Sequence, residues 1–461
     1  MHKIWLLALV LLLASNTEAA LCIKKKKRPA KKQTHSSSHR KKKKRKQAPP
    51  PPPPKFDFSV LNGSSNAIEG VFYNNQSAYN NVLAAQSKHR LQIIYTRIDR
   101  DINNVPHFTE YTYNVNPYVY FYPASCVKLP LSALALEKVN SLNIEGLAKE
   151  THLTVDSANT CQYPTYVDST SADLHASIGH YIKKILLVSD NDAYNKMFEW
   201  NGTGRIHQRL KELKLPDVRI THRFFWCNNE ANRYTNPFNF YSDSGSLIYR
   251  QEMLVDTTEY IPPIGKILLG DAYIDFDGKL KKYPKDFTDR NYFKLADIDL
   301  TLKKVMFPEL YKKNETFDLT ERDYRFMRKY MSMYATESIN PVYDTAHGYF
   351  DCIKKYLIYG QNKDTVVNKN LRIFNIVGFS YGFLTDCAYI VDFETNTEFI
   401  VSATIYSNEA NIMNSGKYEY YTVGMPFLKQ LGLDILKLEQ SRPKKFVPNL
   451  DYLKFDYTRP N

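Results

Sequence analysis

Apolar and polar positions recur along this chain regularly enough to mark out most of its elements. Ser77 to Ser87 reads as a helix leading into a strand, Leu91 to Asp99. A second strand follows, His107 to Tyr113, in which threonine and tyrosine alternate as they do on a half-covered sheet. After an aromatic, strand-like run (Tyr118, Tyr120, Phe121, Tyr122) the period changes, and Leu131, Leu134 and Ala135 place a helix over Leu129 to Leu136. Val155 to Asp173 is polar and irregular. Helical patterning resumes from Leu174 to Met197, broken at Ser189-Asp190-Asn191, and again over Arg205 to Leu213 behind Gly202-Thr203-Gly204.

Towards the far end the pattern predicts strands at Leu371 to Val377, Tyr381 to Asp392 and Glu398 to Tyr406, then a long helix near Tyr420 to Leu438. Between Asn236 and Asn370 lie helix-like stretches at Ile298 to Met306, Thr320 to Ser332 and Thr345 to Tyr356, and loops such as Asp275-Phe-Asp-Gly278. The expectation is an α/β fold in which first and last segments pair in one sheet, with an all-α lobe enlarged by an insertion over about 237–370.

Composition changes this picture at the N-terminus. Met1 to Ala20 has the form of a secretory signal: His2-Lys3, an apolar core from Ile4 to Ala14, then small residues. That core is too short to span a bilayer. Export, to a periplasm or cell envelope, is therefore expected. Lipidation of Cys22 is the alternative, with Leu21 standing where a lipoprotein signal has a small residue. Residues 24–55 hold fifteen Lys/Arg and no acid, nearly ending in Pro49 to Pro54, and the net charge of +14 lies wholly in this tail. Such a segment cannot bury apolar surface and is expected to be a disordered leash of residues 21–55 before a domain over 56–461. Its expected partner, if it has one, is an anionic membrane or envelope surface met through residues 24–46. A neutral remainder argues against nucleic acid. The six cysteines show no close pairing, so neither a zinc site nor a disulfide framework is indicated, and no metal or other cofactor is called for.

The candidate chemistry starts at Pro123-Ala-Ser125-Cys-Val-Lys128-Leu-Pro130. One helical turn sets a hydroxyl beside an amine, and a lysine withdrawn from water can lose its proton near neutral pH and activate serine. The same spacing at Ser38/Lys41 and Ser441/Lys444 lacks the strand-to-helix setting.

Ser125-x-x-Lys128, Ser189-Asp190-Asn191 further on, and a Gly378 strand followed by another strand and a terminal helix resemble the serine β-lactamase and penicillin-binding protein superfamily, nearest class A. The run Ile185 to Asn195 is similar to that family's second motif, and Arg219-Ile-Thr-His-Arg223 to its approach to the omega loop. The resemblance implies a β-lactamase/transpeptidase-like fold with an antiparallel sheet from both chain ends. It also implies that Ser125 forms an acyl-enzyme, Lys128 takes its proton, Ser189 passes a proton to the leaving nitrogen, and Asn191 holds Lys128 and the substrate amide. Backbone N–H groups of Ser125 and of Ser380, two residues after Gly378, would line the oxyanion hole. The substrate would be a β-lactam, or a peptidoglycan-like or other amide.

Two departures stand out. The family's third-motif lysine is replaced by Ile376, and Asp386 stands where a helping arginine is common. Either the substrate carries no carboxylate beside the scissile amide, or Arg372 or His222 swings in. The omega-loop glutamate is missing as well: after Arg223 come Phe224, Phe225 and Trp226, and the nearest acid is Glu230, a displaced deacylation base or a plain loop carboxylate. The alternatives to a β-lactamase-like hydrolase are thus a penicillin-binding acyl transferase or carboxypeptidase that stalls as acyl-enzyme, and a catalytically degenerate envelope-binding module.

Overall fold

Gln92 faces Thr404 and Arg97 faces Phe399 across an antiparallel ladder, so the first and last long strands of the chain are neighbours. The computed structural model describes residues 54–159, 162–224 and 228–458. The expected leader, Cys22 and the basic block 24–46 lie outside them. In chain order, two short helices, α1 (Ala67–Asn74) and α2 (Gln76–Leu83), precede β1 (Gln92–Arg100) and β2 (Pro106–Tyr113). Then come α3 (Lys128–Leu142), β3 (His152–Val155), α4 (Ile178–Val188), α5 (Asn191–Asn201) and α6 (Thr203–Glu212). The stretch after them opens with β4 (Phe238–Tyr241) and β5 (Leu247–Gln251). It continues through four strands of two or three residues, β6 (Leu268–Leu269), β7 (Ala272–Ile274), β8 (Leu280–Lys281) and β9 (Lys285–Asp286), to α7 (Leu295–Met306) and α8 (Glu321–Ser332). The chain closes with β10 (Leu371–Ser380), β11 (Phe383–Asp392), β12 (Thr397–Tyr406), β13 (Ile412–Met413) and α9 (Met425–Ser441), which is entered through a wide turn over Tyr420–Gly424.

The main sheet has the order β10-β11-β12-β1-β2 and is antiparallel throughout. Successive side chains of a strand point to opposite faces, and both faces are covered. Ile93 and Tyr95 join a core with Leu428 and Leu431 of α9, whereas Ile94 and Ile98 join a second core with Leu129, Phe374 and Ile400. Every residue of β11 and β12 is buried as a result, while β2, at one edge, is half covered. In the helical lobe α3 packs on α4 and α5 and is buried almost all round from Lys128 to Glu137, as a central helix must be. Whatever α3 carries at its start is therefore withdrawn from water.

Three expectations need correction. Tyr118 to Tyr122 forms no strand: the run is irregular, with the Tyr120 hydroxyl bonded to the Asn291 carbonyl (2.9 Å) and Tyr122 packed edge-on against Tyr381. Thr345 to Tyr356 is a single short turn at Thr345–His347 followed by further turns. Residues 237–370 carry short strands as well as helices, so that region is not all-α. Cys126, Cys352 and Cys387 are free and buried; Cys161 and Cys227 lie outside the described residues.

Candidate active site

A single tight turn, Ala124–Val127, runs straight into α3, and such a turn repeats every three residues, so Ser125 and Lys128 stack along it. The turn is entered through Ala124 at φ +45°, a left-handed conformation that costs an alanine of order 1 kcal/mol. Strand β10 holds it in place. A Cβ at Gly378 would lie 2.5 Å from the Pro123 carbonyl oxygen and 3.2 Å from Cys126 Sγ, so only glycine lets β10 approach the turn this closely. Pro130 falls in the first turn of α3, where the N–H it lacks would have no partner within the helix. Ser125 itself is partly exposed, and its hydroxyl has no hydrogen-bond partner among the described residues.

Lys128 is fully buried. Its Nζ donates to Asn191 Oδ1 (2.8 Å), to the Ser189 carbonyl (2.5 Å) and to Ser189 Oγ (3.1 Å), and the Phe224 and Tyr194 rings lie 5.3 and 5.8 Å away. Burial pushes this amine down to about 7; the Asp190 carboxylate opposes the shift and the Lys354 ammonium adds to it. The amine is drawn to the Ser189/Asn191 pair, with no hydrogen bond to Ser125.

That pair arrives by local rules. Ser189 ends α4 in a left-handed conformation, φ +61°, and Asp190 caps α5 by accepting from the Ala193 N–H (2.8 Å). Asp190 is thus structural, while the residues on either side of it reach Lys128. By contrast Ser441 and Lys444 bond backbone carbonyls near the end of α9, and the two are not joined to each other.

The outward-facing amide of β10 lies one residue before the expected Ser380. Tyr381 and Gly382, both at positive φ, form a two-residue turn that closes β10 onto β11 with Ser380 opposite Phe383. The pair closing such a hairpin exchanges its hydrogen bonds, and alternate residues point the other way. The Ser380 N–H is therefore turned into the sheet, and the amide on the free edge of β10 is that of Phe379.

After α6 the chain is anchored by a buried ion pair, Arg223 Nε to Glu199 Oε1 at 2.7 Å. Glu199 Oε2 also accepts the Asn236 N–H (3.1 Å), and Arg223 holds the Ala231 carbonyl (2.9 Å), so one carboxylate ties both ends of the loop between them. Phe224 projects from this anchor toward Lys128. Glu230 is exposed, paired with Arg233 at 3.2 Å.

Residues 76–253, which include the Ser125 turn, the Ser189–Asn191 turn and the anchored loop, match the family described as the beta-lactamase enzyme family. That segment resembles the beta-lactamase enzyme family. Among solved structures, the β-lactamase from Sphaerobacter thermophilus is 11% identical, with 83% of this chain and 99% of that one aligned at a TM-score of 0.44. The class A β-lactamase from Clostridium kluyveri is 13% identical over 79% and 98% at 0.41. A mutant of PBP-A, solved as its acyl-enzyme complex with penicillin G, is 11% identical over 76% and 93% at 0.40. No curated protein sequence matches.

Neither candidate swings into the position that Ile376 leaves without charge. Arg372 is clamped to Glu337 (2.7 and 3.1 Å) and stacked on Tyr457. His222 is buried and stacked on Tyr122, and burial pushes it down to about 4, which favours the neutral ring. Asp386 faces no solvent: it accepts the Tyr356 and Leu357 N–H groups (3.0 Å each) and the Asn375 amide (2.8 Å), and burial pushes it up to about 6. Sequence reasoning missed Lys354, a buried amine from the insertion that donates to the Leu186 carbonyl in the last turn of α4. The signal for it was weak: two lysines, 354 and 355, inside the apolar run Cys352 to Ile358.

Proposed function

We propose that this protein is a serine acyl-enzyme former of the β-lactamase type that acylates on Ser125 and releases the acyl group slowly. The observation that carries the reading is the buried Lys128 amine, lowered to about 7 and held by Ser189 and Asn191 one turn from Ser125. In this scheme Ser125 Oγ attacks the amide carbonyl as its proton passes to neutral Lys128, and the developing oxyanion accepts from the N–H groups of Ser125 and Phe379. The tetrahedral centre then expels the nitrogen, which takes a proton relayed through Ser189, leaving an ester on Ser125 and neutral Lys128. Asn191 steers the substrate amide.

Deacylation needs a base for water, and the site is poor in one. Phe224 stands beside Lys128, no acid occurs from 224 to 229, and Glu230 is exposed and bound to Arg233. A long-lived ester is the expected consequence, which favours a β-lactam- or peptide-binding acyl acceptor over rapid hydrolysis. The apolar run at 4–14 and the basic block at 24–46 support export and attachment to an anionic envelope surface. Labelling with a fluorescent penicillin tests the proposal: the wild-type protein takes up label and Ser125→Ala does not. Equal label on both would leave only a binding module.

A further inference from the structure

Lys354 is held in place from every side. Its backbone sits at φ +53°, fixed by Gln361 Oε1 accepting its N–H (2.9 Å) and Asn375 Nδ2 donating to its carbonyl (2.8 Å). Asn375 lies on β10 and bonds Asp386 of β11, whose other oxygen takes the next two N–H groups of the same loop, those of Tyr356 and Leu357. The loop is thereby nailed to the sheet, and its lysine reaches across to the Leu186 carbonyl, three residues before Ser189. An ammonium with one acceptor in the interior is costly. A helix end offers part of the compensation, because the last carbonyls of α4 have no partner within the helix and favour a cation.

We propose that Lys354 is a positioning residue of the acylation site, its ammonium bringing from the insertion the positive charge that Ile376 does not carry and bracing the turn that presents Ser189 to Lys128. This rests on the acyl-enzyme reading above. The groups facing the two amines are few. Asp190 and the Cys126 thiol act on Lys128, Asp386 acts on Lys354, and Lys355 shares the neighbourhood, bonded to the Met331 and Ile373 carbonyls and Asn375 Oδ1. Burial lowers both amines, Lys128 to about 7 and Lys354 to about 8, and the proposal requires that Lys354 keep its charge while Lys128 loses its own.

The test is nitrogen-detected NMR of the lysine Nζ groups of the full chain across pH, alongside the pH profile of Ser125 labelling. In the wild-type protein Lys128 should titrate before Lys354; the reverse order overturns the proposal without any variant. In Lys354→Met, and in Lys354→Gln, which keeps a donor to Leu186 but no charge, the Lys128 titration should rise by about one unit, leaving about fivefold less neutral amine at pH 7. The acid limb of labelling should move with it. Folded variants with an unmoved Lys128 titration overturn the proposal. A wild type that titrates in the expected order yet takes no label would instead sink the acyl-enzyme reading and leave the placement of the charge standing.

Discussion

In the proposed acylation Lys128 is the residue on which the chemistry turns, because only its neutral form can accept the Ser125 proton. With the amine lowered to about 7, acylation should rise with pH through that value and level off above it, a limb that stopped-flow labelling can trace. Lys128→Met removes the base while keeping the bulk, and should slow labelling by about 10²–10⁴-fold with the fold intact by circular dichroism. That Ser125 and Lys128 stack and that Lys128 meets Ser189 and Asn191 was legible in the sequence because each pair is set by a local turn: a tight helical entry in one case, a left-handed serine and an aspartate cap in the other. Lys354 and the Phe379 amide were not. Their relevance depends on which loop the sheet captures and which way one strand's amides alternate, and no short pattern records either.

Among the elements, β10 and the Ser125 turn act as one unit, joined where Gly378 meets Pro123. Gly378→Ala should push the turn off the strand, costing about 1–3 kcal/mol in urea denaturation and most of the labelling; an alanine variant with wild-type labelling would separate strand from turn. The loop behind Phe224 depends on Glu199 in the same way. Arg223→Ala strands that carboxylate in the interior and should cost about 3–5 kcal/mol. The long strands of the main sheet and the Ser189 break were readable from periodicity. The aromatic run before Ser125 misled because aromatic residues favour strands in general, whereas Tyr120 and Tyr122 are each buried by separate tertiary contacts. The two-residue strands of the insertion are too short to show any period.

At the scale of the whole molecule, buried lysines tie stability to pH. Lys128 and Lys138 are lowered to about 7 and Lys354 to about 8, each chiefly by burial. Between those values and the ordinary lysine range the unfolded chain binds more protons than the folded one, so stability should climb as pH rises from 7 towards 10. Above 10 the sign reverses, since burial holds Tyr120, Tyr122 and Tyr389 protonated in the fold while the unfolded chain ionises. Urea midpoints measured from pH 6 to 11 should therefore pass through a maximum near the upper end, and a maximum near pH 6 would contradict the burial of these amines. The claim that joins all three scales is an ester on Ser125 that forms and persists. Its most direct test is intact-protein mass spectrometry after a brief pulse of penicillin G, followed by removal of free drug and peptide mapping. The account predicts a mass increase of one whole penicillin on the peptide bearing Ser125, lasting for hours and missing from Ser125→Ala. No adduct on that peptide, or one lost within seconds, would contradict it.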